Sequence, residues 1–173
     1  MRWMIVAAAL PLLAACASLS EEECRAADWR GIGFADGAAG RTADYIQRHR
    51  EACADVGVSP DLSAWLAGRE DGLKRYCTAA NAYSVGRQGR TLSPVCPAAE
   101  ARSLRAAFDR GRRYYRAGQE IRTNEQEIRS LQNTLSDLPS DSTERASLQR
   151  QIAQLRTSIL RLRAEQALYA GGP

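Results

Sequence analysis

Lysine is nearly missing from this chain: Lys74 stands alone among 23 arginines. Such a bias points to a GC-rich coding genome more than to selected guanidinium chemistry. Histidine is as scarce, with His49 the only one. A single imidazole and no Cys-x2-Cys pair argue against a zinc site. There is no Gly-x-Ser-x-Gly elbow and no His-Glu-x-x-His, so the common hydrolase and metalloprotease signatures are absent. β-branched residues are sparse and few stretches alternate in polarity, which speaks against strands. Only one apolar run exists, Trp3 to Leu13, too short to span a bilayer. With 45% hydrophobic and 25% charged residues, wholesale disorder is also excluded.

What is present begins with five cysteines among 173 residues, an odd number. Met1-Arg2 and the apolar run form a secretory signal, followed by Leu13-Ala14-Ala15-Cys16. Those four residues resemble the bacterial lipobox. In that motif small side chains let an extended backbone enter a peptidase, and the cysteine becomes the lipid-bearing N-terminus. By that resemblance residues 1–15 are a signal peptide and Cys16 carries diacylglycerol and an acyl chain. More than one chain makes anchoring stable. Ala17-Ser18 follow, without the Asp that retains such proteins in the inner membrane, so outer-membrane sorting is expected. The alternative is plain secretion with cleavage after Ala17.

Setting Cys16 aside leaves Cys24, Cys53, Cys77 and Cys96, an even set that reads as two disulfides in an oxidising periplasm. Three connectivities remain open. Cys24–Cys53 with Cys77–Cys96 is favoured only because it closes local loops.

Residues 16–23 read as a polar tether, residues 24–97 as a cysteine-bearing helical domain and residues 98–173 as a helical hairpin. The middle part has a repeated texture. Trp29-x3-Gly33-x2-Asp36-Gly37 is echoed by Trp65-x2-Gly68-x2-Asp71-Gly72, and more weakly by Tyr83-x2-Gly86-x2-Gly89, Phe108-x2-Gly111 and Tyr115-x2-Gly118. An aromatic and a glycine three apart share a helical face, and the bare backbone lets another helix approach. The aromatics are irregularly spaced, so a compact bundle of short helices is expected rather than a solenoid. One helix is predicted from about Asp36 to Cys53. The next is predicted to open with Ser59 as N-cap and Pro60 at its first position, and to run to Cys77. A short helix is placed near Asn81–Arg87.

From Ala98 to Leu138 one long helical pattern runs unbroken, and a second reaches about Tyr169 after Pro139-Ser140-Asp141-Ser142. Asp141-x-x-Glu144 has the form of a capping box. Leu148, Ile152, Leu155, Ile159, Leu162, Gln166 and Tyr169 step by four and three. Tyr114, Ala117, Ile121, Asn124, Ile128, Leu131, Leu135 and Leu138 do the same in the first helix. Folded about residue 140, they make an antiparallel coiled-coil hairpin with Asn124 as a register-fixing polar core residue. The fold class is all-α.

The net charge of +4 is concentrated C-terminally. Arg102, Arg105, Arg112 and Arg116 can share a helical face and contact an anionic lipid or glycan. A solvated arginine face is the simpler reading. Nucleic acid is not expected as a partner, because the compartment is wrong and Tyr114-Tyr115 are no stacking platform. His49, flanked by Arg48 and Arg50, is expected on the surface. Asp36 and Asp71 could form a paired-carboxylate hydrolase, but Asp near a helix N-terminus ordinarily caps it.

Trp29, the Gly-x-x-Asp-Gly runs at 33–37 and 68–72, Ala52-Cys53, Tyr76-Cys77-Thr78 and Val95-Cys96-Pro97 resemble a family of uncharacterised proteobacterial lipoproteins, classed as a domain of unknown function. The resemblance spans about residues 20–118. It implies a lipid-anchored envelope protein and no established activity. The expected function is therefore a non-enzymatic outer-membrane lipoprotein without cofactor or metal. It is held to the membrane by its lipid and engages an envelope protein through the hairpin.

Overall fold

A computed structural model describes residues 18–172, and among them every regular element is helical. The helices are α1 (Glu21–Ala26), α2 (Trp29–Ala38), α3 (Ile46–Cys53), α4 (Leu62–Tyr76), α5 (Ala79–Arg87), α6 (Ala101–Asp137) and α7 (Glu144–Leu168). Turns of 3-10 helix at Ala43–Tyr45 and Ala54–Val56 flank α3.

Several boundaries differ from those expected. The helix predicted over 36–53 is two helices, because α2 ends at Ala38 and Gly40 turns the chain at φ +71°. Arg41 N–H then donates to Asp36 O, a left-handed C-terminal cap that only a residue like glycine enters without strain. α4 opens two residues later than predicted. Its N-cap is Asp61, whose carboxylate accepts from Ser63 N and Ala64 N, and Ser59 and Pro60 lie outside the helix. The Asp141–Glu144 capping box does not form, and Thr143 precedes α7 with no side-chain cap. The expected tether is folded over its described part. Leu19 is buried, and Ser20 caps α1 in a reciprocal capping box with Glu23.

The glycine repeats are the contact between helices. α2 lies on α4 so closely that a Cβ at Gly33 or Gly37 would fall on the carbonyl of Trp65 or Arg69. A Cβ at Gly68 or Gly72 would fall on the carbonyl of Arg30 or Phe34. The contact is reciprocal, each helix presenting bare backbone to the other's carbonyls. The helical penalty of about 1 kcal/mol per glycine is offset by this packing.

The same contact recurs further along the chain. α5 lies on α6, with Gly86 against Phe108 O and Arg112 N, and Gly111 against Tyr83 O and Arg87 N. Gly37 meets Arg69 O and Leu73 N in the same way, and Gly72 meets Phe34 O and Ala38 N. The caps match as well. Gly89 has φ +74°, Arg90 N–H donates to Val85 O, and the ring of Tyr115 lies over Gly89 as that of Tyr76 lies over Gly40. The fold thus contains one unit twice: α2–α4 and α5–α6, each a pair of glycine-packed helices with a disulfide. In this correspondence Val85 takes the place of Asp36, and Leu104 the place of Trp65.

The disulfides are Cys24–Cys53 and Cys77–Cys96, the local pairing. In the first unit the link between paired helices is long and holds α3. In the second, residues 88–100 contain no helix.

α6 continues past its pairing with α5, so the boundary expected at Pro97 falls beside a helix that both parts share. Its C-terminal half packs on α7. Ala117, Ile121, Ile159 and Leu162 form a buried cluster with Ile128 against it. Asn124 Nδ2 donates to Ser158 Oγ (3.2 Å), Arg163 pairs with Glu125 (3.1 Å), and Arg145 donates to the carbonyls of Leu135 and Leu138. Gln166 Nε2 reaches Tyr114 O at the far end.

Candidate functional site

The residues that combine chemistry with burial meet at one place in the first unit. α2 brings Asp36, α3 brings His49, α4 brings Trp65, and the chain before α1 brings Ser18. Helical geometry explains the placement of His49. Ile46, His49 and Cys53 recur at three and four residues, so all three face inward, while Arg48 and Arg50 point to solvent. The expected surface histidine is therefore in the core, 2% exposed. Its Nε2 lies 2.7 Å from Asp36 Oδ2, and its Nδ1 lies 2.9 Å from Ser18 Oγ. Trp65 Nε1 donates to the same Asp36 Oδ2 at 2.9 Å. The rings of Tyr45 and Trp65 stand edge-on to the imidazole, 5.2 and 6.5 Å away between centroids.

Asp36 is thus not a helix cap. It sits near the C-terminal end of α2 and satisfies two buried donors from two other helices. Without it both donors would be stranded, at about 1–3 kcal/mol each. The order hydroxyl, imidazole, carboxylate is that of a proton relay. Here the imidazole is sealed between rings, and the carboxylate is shared with an indole. The arrangement chiefly ties Ser18 to the core.

Asp71, the other expected carboxylate, has separate partners. It accepts from Arg30 (2.6 Å) and Lys74 (2.8 Å) on the surface of α4. The Lys74 ammonium, bonded to it, holds its carboxyl below the usual range, with Arg30 adding to this, and the Lys74 pKa is raised in return. Asp36 and Asp71 share no partner and form no carboxylate pair.

The four arginines grouped on one face have different surroundings. Arg105 Nε bonds Asp109 (3.1 Å), and half-buried Arg112 donates to Gly89 O (3.1 Å) at the end of α5. Arg102 and Arg116 are exposed. Neighbouring Arg110 and Arg113 reach Leu168 O and the Tyr169 hydroxyl, fastening the end of α7, and that hydroxyl raises the Arg113 pKa. Cys16 lies outside the described residues. Among the described residues no group of His, Cys, Asp and Glu could hold a metal, and no helix is long and apolar enough to cross a membrane.

The span that carries both glycine-packed units is also the span that carries a family signature. Residues 28–113 match the family described as Protein of unknown function (DUF2799). The DUF2799 match starts at the N-cap of α2 and stops within α6, two residues after Gly111. It includes the paired helices of both units and leaves out α7 and the C-terminal part of α6. No curated protein and no solved structure matches the chain.

Sequence reasoning missed the His49 cluster and the duplication. A signal for the second was present. Gly40-Arg41-Thr42 and Gly89-Arg90-Thr91 repeat the cap in three identical residues.

Proposed function

We propose that this chain is a lipid-anchored protein of the cell envelope, sorted to the outer membrane. It acts as a protein-interaction or structural module, not as an enzyme. The observation that carries this reading is the outer face of α7. Leu160 and Leu168 are 68% and 72% exposed there. Ala153, Thr157, Leu160, Ala164 and Ala167 step by four and three, all exposed, on the side opposite the seam that packs on α6. A helix with an exposed stripe of small and apolar residues away from its packed seam lets another helix approach closely. We read α6 and α7 together as an antiparallel coiled-coil hairpin, and the 37 residues of α6 extend about 55 Å.

The lipid anchor is supported by Leu13-Ala14-Ala15-Cys16, and two disulfides suit an oxidising compartment. Because Ser18 is bonded to His49 and Leu19 is buried, the folded body would begin two residues from the lipid, within about 7 Å of chain. The hairpin would then project from a body held against the membrane. An anionic lipid or glycan remains the alternative ligand, but half-buried Arg112 is engaged within the fold.

Palmitate labelling of wild type and Cys16→Ser, with membrane fractionation, tests the anchor. Labelling and membrane recovery should both be lost in the variant. Photocrosslinking probes along 121–162 in cells should trap one specific protein, and Leu160→Asp should abolish the product. No product, together with no phenotype on deleting 119–173, would sink the hairpin reading.

A further inference from the structure

The two copies of the glycine-packed unit differ around the position of Trp65, and there the second copy carries an open groove. In the first, Trp65 stands seven residues before Gly72 and is wholly buried, closed over by Tyr45, Ile46 and His49. In the second, Leu104 stands seven residues before Gly111. Tyr45, three residues after Thr42, has Pro94 as its counterpart, three after Thr91. No helix equivalent to α3 lies between α5 and α6. What remains is a groove of about 530 Å³, within the range of ligand pockets. Thr91, Leu92, Pro94, Ala101, Leu104 and Phe108 line it. Two of them, Leu104 and Pro94, stand where the first unit has Trp65 and the Tyr45 that packs with it.

Charge selects the occupant further. The only charged residue lining the groove is Arg105. Its Nε bonds Asp109, its side chain is largely exposed, and Arg102 stands beside it on the same exposed face. A second copy of this chain, itself net positive, would bring more arginine to an arginine rim. We infer that this groove receives a bulky aromatic side chain carried on an acidic segment of a partner protein. The aromatic packs on Leu104, the smaller residue at the position of Trp65, and takes up the space an indole would fill there. Carboxylates beside it meet Arg102 and Arg105. The inference uses no residue of α7 and stands or falls apart from the hairpin reading.

The probe is an acetylated Asp-Glu-Gly-Trp-Gly-Glu-Asp peptide, with its Trp-to-Ala counterpart as control. Both are titrated into the folded chain while backbone amide NMR shifts are followed. The Trp peptide should shift amides at 91–94 and 101–108 and bind at least about tenfold tighter than the Ala peptide, the worth of burying one large apolar side chain. Leu104→Trp refills the groove from within and should abolish binding. Ala101→Trp, at an exposed position on the rim, should do the same if the first variant does not fold. Arg105→Glu should weaken binding about threefold or more and reduce its salt dependence. Equal binding of the two peptides would mean charge attraction alone and overturn the proposal. So would shifts mapping elsewhere, no binding by the folded wild type, or binding retained by a folded variant with a refilled groove.

Discussion

His49 Nε2 and Asp36 Oδ2 are 2.7 Å apart inside the first glycine-packed unit, and through them the chain before α1 is joined to α2, α3 and α4. Removing the carboxylate leaves an imidazole and an indole N–H without their acceptor. Asp36→Ala is expected to lower unfolding free energy by about 3 kcal/mol. Asp71→Ala, which breaks only surface ion pairs, should cost less than about 1 kcal/mol. Urea unfolding of both variants measures the difference, and equal costs would refute the assigned role of Asp36.

The helix contacts make a sharp contrast between glycines. A methyl group at Gly68 would fall on the carbonyl of Arg30, and α2 would have to move away. Gly68→Ala should destabilise by about 2–3 kcal/mol, as overpacking does. At Gly171 nothing lies within 4 Å, and Gly171→Ala should leave the melting temperature unchanged. Thermal melts followed by circular dichroism decide this.

Each disulfide closes a short loop, with sequence separations of 29 and 19. Replacing Cys77 and Cys96 together by Ser should cost about 3 kcal/mol, and replacing Cys24 and Cys53 slightly more. Unfolding curves of the two double variants provide the comparison. Partial digestion with peptide mapping should recover both loops as linked fragments only when unreduced.

Acid should weaken the fold through its capping carboxylates. The Asp61 pKa is lowered first by the Ala64 N–H and then by the Ser63 hydroxyl; that of Glu23 is lowered by the Ser20 N–H and hydroxyl. A folded pKa below the unfolded one adds stability that is present above the ordinary carboxylate value. That stability is lost as pH falls through the lowered one. Melting temperature should therefore hold between pH 7 and 5 and fall below about pH 4. Asp61→Asn keeps a capping oxygen but cannot titrate, so its melting temperature should fall less steeply over that acid range.

Between α6 and α7, Asn124 makes a hydrogen bond to Ser158 where an apolar side chain could pack. Asn124→Leu should raise the melting temperature while relaxing the register of α6 on α7. Distances between spin labels on the two helices would broaden if the register relaxes and stay narrow if Asn124 has no such role.

The extent of the long helices was legible because helical periodicity is local. Ile121, Ile128, Ile159 and Leu162 announce their face by spacing alone, and α6 and α7 fall within a few residues of the expected limits. Capping was less legible. Asp61 outcompeted Ser59, since its carboxylate reaches two backbone donors at once, and Gly40 ended a helix that the apolar pattern would have continued. His49 misled because its neighbours in sequence, Arg48 and Arg50, are not its neighbours in space.

By itself the sequence determined an all-helical chain, a glycine-bearing contact surface, four cysteines to be joined in pairs and a two-helix C-terminal part. These are properties of short windows and of residue type. Only the tertiary structure decided which glycine face meets which, that the same pair is built twice, and that Asp36 serves His49 and Trp65. It also left the second unit open where the first is filled. Those outcomes depend on backbones distant in sequence meeting at carbonyl contact, and no periodicity within either segment specifies its partner.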